Sequence, residues 1–230
     1  MKILALDTSA VTATAAIMSD GIIVAEESVT TALTHSQTIM PMIDELLKKA
    51  SLTINDIDLF ACSEGPGSFT GLRIGIGTIK ALAFGCEKKV CGVSTLEALA
   101  HNVSFSPYVI CPIMDARRSQ VYTALYKSED GNIICIKEPC ALSIEELCSS
   151  LNEKTLLVGD GVKVYKEKIS SLMGENALFA PPQHMLQRAA SVAVASLSKE
   201  DCDAASLGVV YLRKPQAERE REEQKKENEK

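Results

Sequence analysis

Three stretches of the chain carry residue types and spacings that can handle an anion. The first is Leu4-Ala5-Leu6-Asp7-Thr8-Ser9, where an apolar run closes on a carboxylate and two hydroxyls. An acidic residue at a strand tip, with hydroxyls in the tight turn after it, can hold a metal-bound phosphate. The same residues are common in plain hairpin turns. The second is Ser63-Glu64-Gly65-Pro66-Gly67-Ser68-Phe69-Thr70-Gly71-Leu72-Arg73-Ile74-Gly75. Here Gly65-Pro66-Gly67 is turn chemistry and Ser68 or Thr70 can cap the helix that follows, so Asp7 and Ser68 could flank one phosphate. The third is Asp115-Ala116-Arg117-Arg118-Ser119. Its two arginines can bind an anion or an acidic partner, or simply stand in solvent.

Other chemistries lack their residues. A P-loop needs Gly-Lys-Ser/Thr opening the helix, and Gly71 is followed by Leu72-Arg73. A zinc pair needs two ligands one turn apart, but His35 is followed four residues on by Ile39, and His101 and His184 stand alone. Ser68 lies in no Gly-x-Ser-x-Gly. No catalytic set assembles from local motifs.

The elements that would position these stretches follow from periodicity. Ile3–Leu6 is an apolar strand, Val11–Met18 its returning partner, and Ile22–Val24 a third strand. Leu59–Cys62 is a strand feeding the glycine-rich loop, and Lys89–Val93 another, followed by a short helix over Thr95–His101. The opening pattern then recurs: Ile110–Asp115 closes on a carboxylate and Gln120–Tyr126 returns, with 115 − 7 = 108 residues between the two aspartates. Such an internal repeat implies two related domains with a cleft between them. The second copy differs chemically, because Arg117 and Arg118 stand where glycines would let a phosphate approach the backbone. Further on, Gly131-Asn132 reads as a hairpin turn and Ser143-x-x-Glu146 as a capping box opening a helix to Leu151. Thr155–Val158 then runs into Gly159-Asp160-Gly161, with helices over Val164–Met173 and Gln187–Leu197.

Two helices carry more apolar surface than one sheet contact needs. In the helix over Ser36–Ala50, Ile39, Ile43, Leu46, Leu47 and Ala50 form the main face, and Met40 and Met42 widen it. In the helix over Thr70–Gly85, Leu72, Ile76, Ile79 and Ala83 share one face, while Arg73 and Lys80 form a single narrow polar strip. Gly75 and Gly77 each cost about 1 kcal/mol there relative to Ala, so a close neighbour must use the missing side chains. That neighbour is a helix of the same core or another protein.

The chain has 230 residues, of which 46% are hydrophobic, enough for one large domain or two small ones. With a formal net charge of −6 it is repelled by a phosphate backbone and is poorly suited to holding nucleic acid alone. It has no Trp and no basic stripe interleaved with aromatics, which excludes a single-strand stacking platform. The eight cysteines form no Cys-x-x-Cys, no run reaches the length of a membrane span, and no signal peptide is expected, since the opening apolar run meets Asp7 too early. A reduced, cytoplasmic protein is expected. Residues 214–230 carry six basic and six acidic residues, so a charged mobile tail is expected there.

The Leu4–Ser9 and Gly65–Gly75 stretches resemble the TsaB (YeaZ) family, accessory subunits of bacterial tRNA threonylcarbamoyladenosine biosynthesis. So do Asp115-Ala116-Arg117, Gly159-Asp160-Gly161 and Tyr211-Leu212-Arg213, and the likeness spans residues 1–213. It implies an α/β, duplicated actin/Hsp70-like ATPase (ribonuclease H-like) fold whose nucleotide site is degenerate. The expected division is an N-terminal domain over 1–102 carrying partner-binding helices and a smaller degenerate domain over 103–213. The helix near 187–197 is expected to pack back between them.

The resemblance also implies a non-catalytic scaffold. It would bind and activate a TsaD-like catalytic subunit for transfer to the adenosine beside the tRNA anticodon, with a TsaE-like ATPase joining. tRNA would be reached only through the complex, no membrane is involved, and the isolated chain is expected to self-associate. No cofactor of its own is implied, beyond ATP or ADP at the subunit junction. The catalytic relative carries two metal-binding histidines one turn apart; this chain has His35 but Ile39 where the second should be. By carry-over, His35, Ile39, Met42, Leu72, Gly75 and Ile79 are the partner-binding candidates, and Asp7, Ser68 and Arg117 the nucleotide-binding ones. A bulky residue at Gly75 should abolish the heterodimer and leave the fold largely intact. The rival is an independent ATPase or small-molecule kinase that holds a phosphate between Asp7 and Ser68.

Overall fold

A computed structural model describes residues 1–31 and 33–213; the tail expected over 214–230 lies outside them. The first half runs β1 (Lys2–Asp7), β2 (Thr12–Ser19), β3 (Ile22–Thr30), α1 (His35–Lys49), β4 (Leu59–Gly65), α2 (Phe69–Gly85), β5 (Lys89–Ser94) and α3 (Thr95–His101). The second runs β6 (Val109–Asp115), β7 (Gln120–Glu129), β8 (Asn132–Ser143), α4 (Ile144–Ser150), β9 (Thr155–Val158), α5 (Gly161–Met173) and β10 (Ala177–Phe179), then α6 (Pro182–Met185) and α7 (Ala189–Ser196).

The 108-residue repeat is a repeat of topology. One sheet has the order β3-β2-β1-β4-β5 and the other β8-β7-β6-β9-β10. In each, the first strand pairs antiparallel with its hairpin partner and parallel with the strand on its other side. A central strand with both edges paired and both faces covered must be apolar throughout, which is why Ile3–Leu6 and Ile110–Met114 read so plainly. Each leaves its aspartate at the carboxyl end. The pairing of β8 with β7 shifts register twice, at Glu138-Pro139 and at Ile136, and an edge strand tolerates the proline. Its hairpin turns at Asp130-Gly131, with φ of 51° and 82°, one residue earlier than the sequence suggests.

The layers follow from the clusters. On one face of the first sheet, Ile39, Ile43 and Leu46 of α1 and Ile76, Ile79 and Ala83 of α2 meet Leu4, Leu6 and Phe60. On the other face α7 lays Ala189, Val192 and Ala193 on Ile3, Ala5 and Ala16, its small residues allowing close approach. Helix α3 is shared: Ala98 joins the α7 side, while Leu96, Leu99 and Ala100 pack with Ile110 and Met114 of the second sheet. Leu147 of α4 and Ile169 of α5 cover that sheet's far face.

The segment from Cys202 to Arg213 forms a strap over the first half. Cys202 bridges to Val90, the amide of Val210 donates to the carbonyl of Glu64 (2.8 Å), and Lys80 Nζ donates to the carbonyl of Leu207 (2.9 Å). Tyr211 stacks on Phe69 with ring centroids 5.3 Å apart, and Arg73 Nε donates to its hydroxyl (3.1 Å). The polar strip of α2 thus serves the chain's own C-terminal segment.

Candidate functional site

The turns that follow the two pseudo-equivalent aspartates both line a cleft of about 780 Å³, but the aspartates are used differently. Asp7 is buried beneath the cleft, not in it. Its carboxylate accepts the Ser9 amide (2.8 Å), the Ser9 hydroxyl (2.6 Å) and the Ser63 hydroxyl. Burial raises its pKa above the ordinary carboxylate value, against the pull of those hydrogen bonds and of His35. Asp7 therefore does not line the cleft in which a phosphate was expected to meet it: its oxygens knit the β1 turn to β4.

The glycine-rich loop is filled from the same turn. A β-carbon on Gly67 would stand 2.5 Å from the carbonyl oxygen of Ser9, and one on Gly71 would overlap the carbonyl of Thr8. Thr8 Oγ1 donates to the carbonyl of Gly71 (2.8 Å), and the amide of Ser68 donates to Ser9 (2.7 Å). Ser68 caps α2, its hydroxyl accepting the Gly71 amide (3.2 Å), as its position suggests. The space a phosphate would take against a glycine loop holds Thr8 and Ser9, so these residues do not fit the nucleotide that the fold implies.

The second wall is more open. Asp115 Oδ1 accepts the amide of Arg117 (2.9 Å) and the hydroxyl of Tyr165 (3.2 Å). Asp160 lies close by, its pKa raised by burial and by the neighbouring Asp115 charge, and Gln187 Nε2 donates to it (3.1 Å). Arg117, Lys163 and Arg213 line the cleft with Ser68 and Tyr211. The structure thus brings Ser68 and Arg117 to one cavity and leaves Asp7 out of it. Sequence reasoning missed Lys163, Gln187 and Tyr211 as cleft residues, since they come from segments with no periodic or motif signal linking them to Asp115.

The partner-binding candidates also fall inside. Ile39, Met42, Leu72 and Ile79 are at most 3% exposed, and Gly75 is buried against Thr8. His35 opens α1 half-buried, its Nε2 donating to the carbonyl of Ala10 (2.8 Å). Among the described residues no group of three or more His, Cys, Asp or Glu is placed to hold a metal ion. The widened face of α1 is sealed by β2 and β3, Met42 inside and Met40 47% exposed, and its outer side carries Ser36, Gln37, Asp44, Glu45 and Lys48. The expected excess of apolar surface on α1 is thereby reduced to Met40 and the neighbouring Pro41. On α2 it persists: Thr70, Arg73, Gly77, Ala81 and Phe84 form an exposed strip with a single charge, and Phe84 is 81% exposed.

No helix of the described residues is long and apolar enough to cross a membrane. All eight cysteines are unpaired.

Residues 26–219 match the model of the family described as TsaD: tRNA N6-adenosine threonylcarbamoyltransferase. The chain is 32% identical to the tRNA threonylcarbamoyladenosine biosynthesis protein TsaB of Bacillus subtilis over 95% of its own length and 96% of the relative's. It superimposes on YeaZ from Pseudomonas aeruginosa with a TM-score of 0.79 and 26% identity, covering 92% and 99% of the two chains. At 12% identity the (R)-2-hydroxyglutaryl-CoA dehydratase component A of Acidaminococcus fermentans shares the fold alone (TM-score 0.50; 86% of this chain, 96% of that one). The duplicated sheets and this likeness along nearly its whole length agree: the chain belongs to the TsaB family, with an α/β actin-like fold.

Proposed function

We propose that the chain is a non-catalytic subunit of cytoplasmic tRNA threonylcarbamoyladenosine biosynthesis. It docks a TsaD-like catalytic subunit on α2 and holds it in its active arrangement, with a TsaE-like ATPase joining the complex. The same strip pairs two copies when the partner is absent.

The observation that carries this reading is the difference between the two helix glycines. Gly75 is used inside the chain, because its missing side chain admits Thr8. Gly77 is exposed and a β-carbon there would meet nothing within 4 Å. Nothing among the described residues offsets its cost of about 1 kcal/mol in a helix interior, whereas a second helix lying along Gly77, Ala81 and Phe84 would. An exposed, nearly uncharged strip of this kind marks a protein contact.

The test is capture of the TsaD-like protein of the same organism by Gly77→Arg and Phe84→Ser variants. Gly77→Arg should melt at or above the parent and Phe84→Ser close to it, and both should lose the partner. Full capture by both would refute docking on α2. The rival ATPase reading has no cradle at the glycine loop, and titration with Mg-ATP should give no turnover.

A further inference from the structure

The turn after Asp115 is built against the preference of its residues. Arg117, Arg118 and Ser119 have φ of 64°, 54° and 58°, three left-handed residues in succession and none of them glycine. A side chain makes that conformation costly, and glycine would adopt it without strain. The equivalent turn after Asp7 contains no positive φ. The strained turn is held from several directions: Asp115 accepts the amide of Arg117, the amide of Ala116 donates to Gln120 (2.9 Å), and Arg213 donates to the carbonyl of Ala116 (3.2 Å). Strain maintained in this way at exposed residues points to function.

The arrangement exposes two arginines in succession: Arg117 lines the cleft with Lys163 and Arg213, and Arg118 stands in water beside it in the chain. Among the described residues none of the four takes part in an ion pair. We propose that this turn contacts phosphates of a nucleic-acid backbone, with Arg117 and Arg118 as the two contacts. A polyphosphate entering the cleft would meet the carboxylates of Asp115 and Asp160 and a glycine loop already filled by Thr8 and Ser9. A strand passing across the mouth meets the arginines first. In a chain of net charge −6 such a contact is local and strongly salt-dependent. The inference rests on the tRNA-modification reading above and supplies that reading with a second surface.

The test is fluorescence anisotropy of a labelled, unmodified tRNA transcript between about 50 and 200 mM salt, the range over which backbone contacts show. It is run with the chain alone and with the chain plus its TsaD-like partner. The double variant Arg117→Gly/Arg118→Gly removes the guanidiniums and relieves the backbone. It should melt several degrees higher than the parent, while the slope of log Kd against log salt falls by about 2, one for each phosphate contact. Arg117→Lys/Arg118→Lys keeps charge and strain and should retain the slope. An unchanged slope in the glycine variant overturns the proposal, and so does the absence of tRNA binding by the parent both alone and with its partner. Calorimetry with inorganic pyrophosphate separates the sources. Pyrophosphate binding lost in the glycine variant, with tRNA affinity unaltered, would assign a small phosphate ligand instead. Failure of partner capture removes the docking surface but leaves the arginine-dependent slope, so the two readings fail separately.

Discussion

A β-carbon on Gly75 would overlap Thr8 Oγ1, the hydroxyl that donates to the carbonyl of Gly71 at 2.8 Å. The contact joins the second turn of α2 to the turn after β1, and it inverts the expected behaviour of this position. A bulky residue at Gly75 must displace Thr8 and break its buried hydrogen bond, so Gly75→Leu should destabilise the monomer by about 2–4 kcal/mol, from overpacking plus the lost bond. Gly77→Ala, in open space, should instead raise stability by up to about 1 kcal/mol. Urea unfolding of the two variants checks both signs. A Gly75→Leu chain as stable as the parent would mean that Thr8 and α2 are not in contact.

Asp7 supplies acceptors to three buried donors, the amide and hydroxyl of Ser9 and the hydroxyl of Ser63. Asp7→Ala strands all three. Each unsatisfied buried donor costs about 1–3 kcal/mol, so the variant should lose at least about 3 kcal/mol and melt roughly 6–12 °C lower. Mg-ATP should shift neither the parent's melting point nor the variant's. A nucleotide-dependent rise in the parent that Asp7→Ala removes would restore Asp7 to a phosphate site.

How far the sequence could be read depended on how much of each element's environment was local. The two central strands and both aspartates were legible because β1 and β6 are apolar throughout and each ends in a carboxylate. The cap at Ser143 with Glu146 was legible for the same reason: both partners lie within one turn. Which face of α1 was excess was not legible. The width that Met40 and Met42 add looks the same whether solvent, a partner or the β2–β3 hairpin covers it, and only the fold shows the hairpin over Met42. The use of Gly65–Gly75 was hidden similarly, since a loop opened for phosphate and one opened for the Thr8–Ser9 backbone need the same glycines. Tyr211-Leu212-Arg213 stood out by resemblance, but where it packs was not legible, because its partners Phe69, Arg73 and Ala116 are about a hundred residues or more away.

The strap should hold α2 through a measurable pair. Tyr211 stacks on Phe69 at an interplanar angle of 27°, and Arg73 lies 3.7 Å over the same ring. A double-mutant cycle of Tyr211→Ala and Phe69→Ala should give a coupling of about 0.5–1.5 kcal/mol. Phe69→Ala should also make the segment after Ala205 cleave faster in limited proteolysis. Additive single variants would show that the rings lie together without stabilising one another.

Glu64 gives the fold a pH dependence with a definite sign. Its half-buried carboxyl lies against Gly92 and Leu207 beneath the strap, and burial raises its pKa above the ordinary 4.5, with Glu97 adding to the rise and Lys199 opposing it. The folded state therefore binds this proton more tightly than the unfolded chain. The stability it confers is fully present below the unfolded value and is lost as pH rises through the folded one. Glu64→Gln stays neutral throughout. It should match the parent near pH 4 and melt above it at pH 7, with the gap opening across the interval between. Thermal melts of both proteins in steps of about half a pH unit resolve that interval, and a gap that stays constant from pH 4 to 8 would show that the carboxyl is solvated in the folded chain.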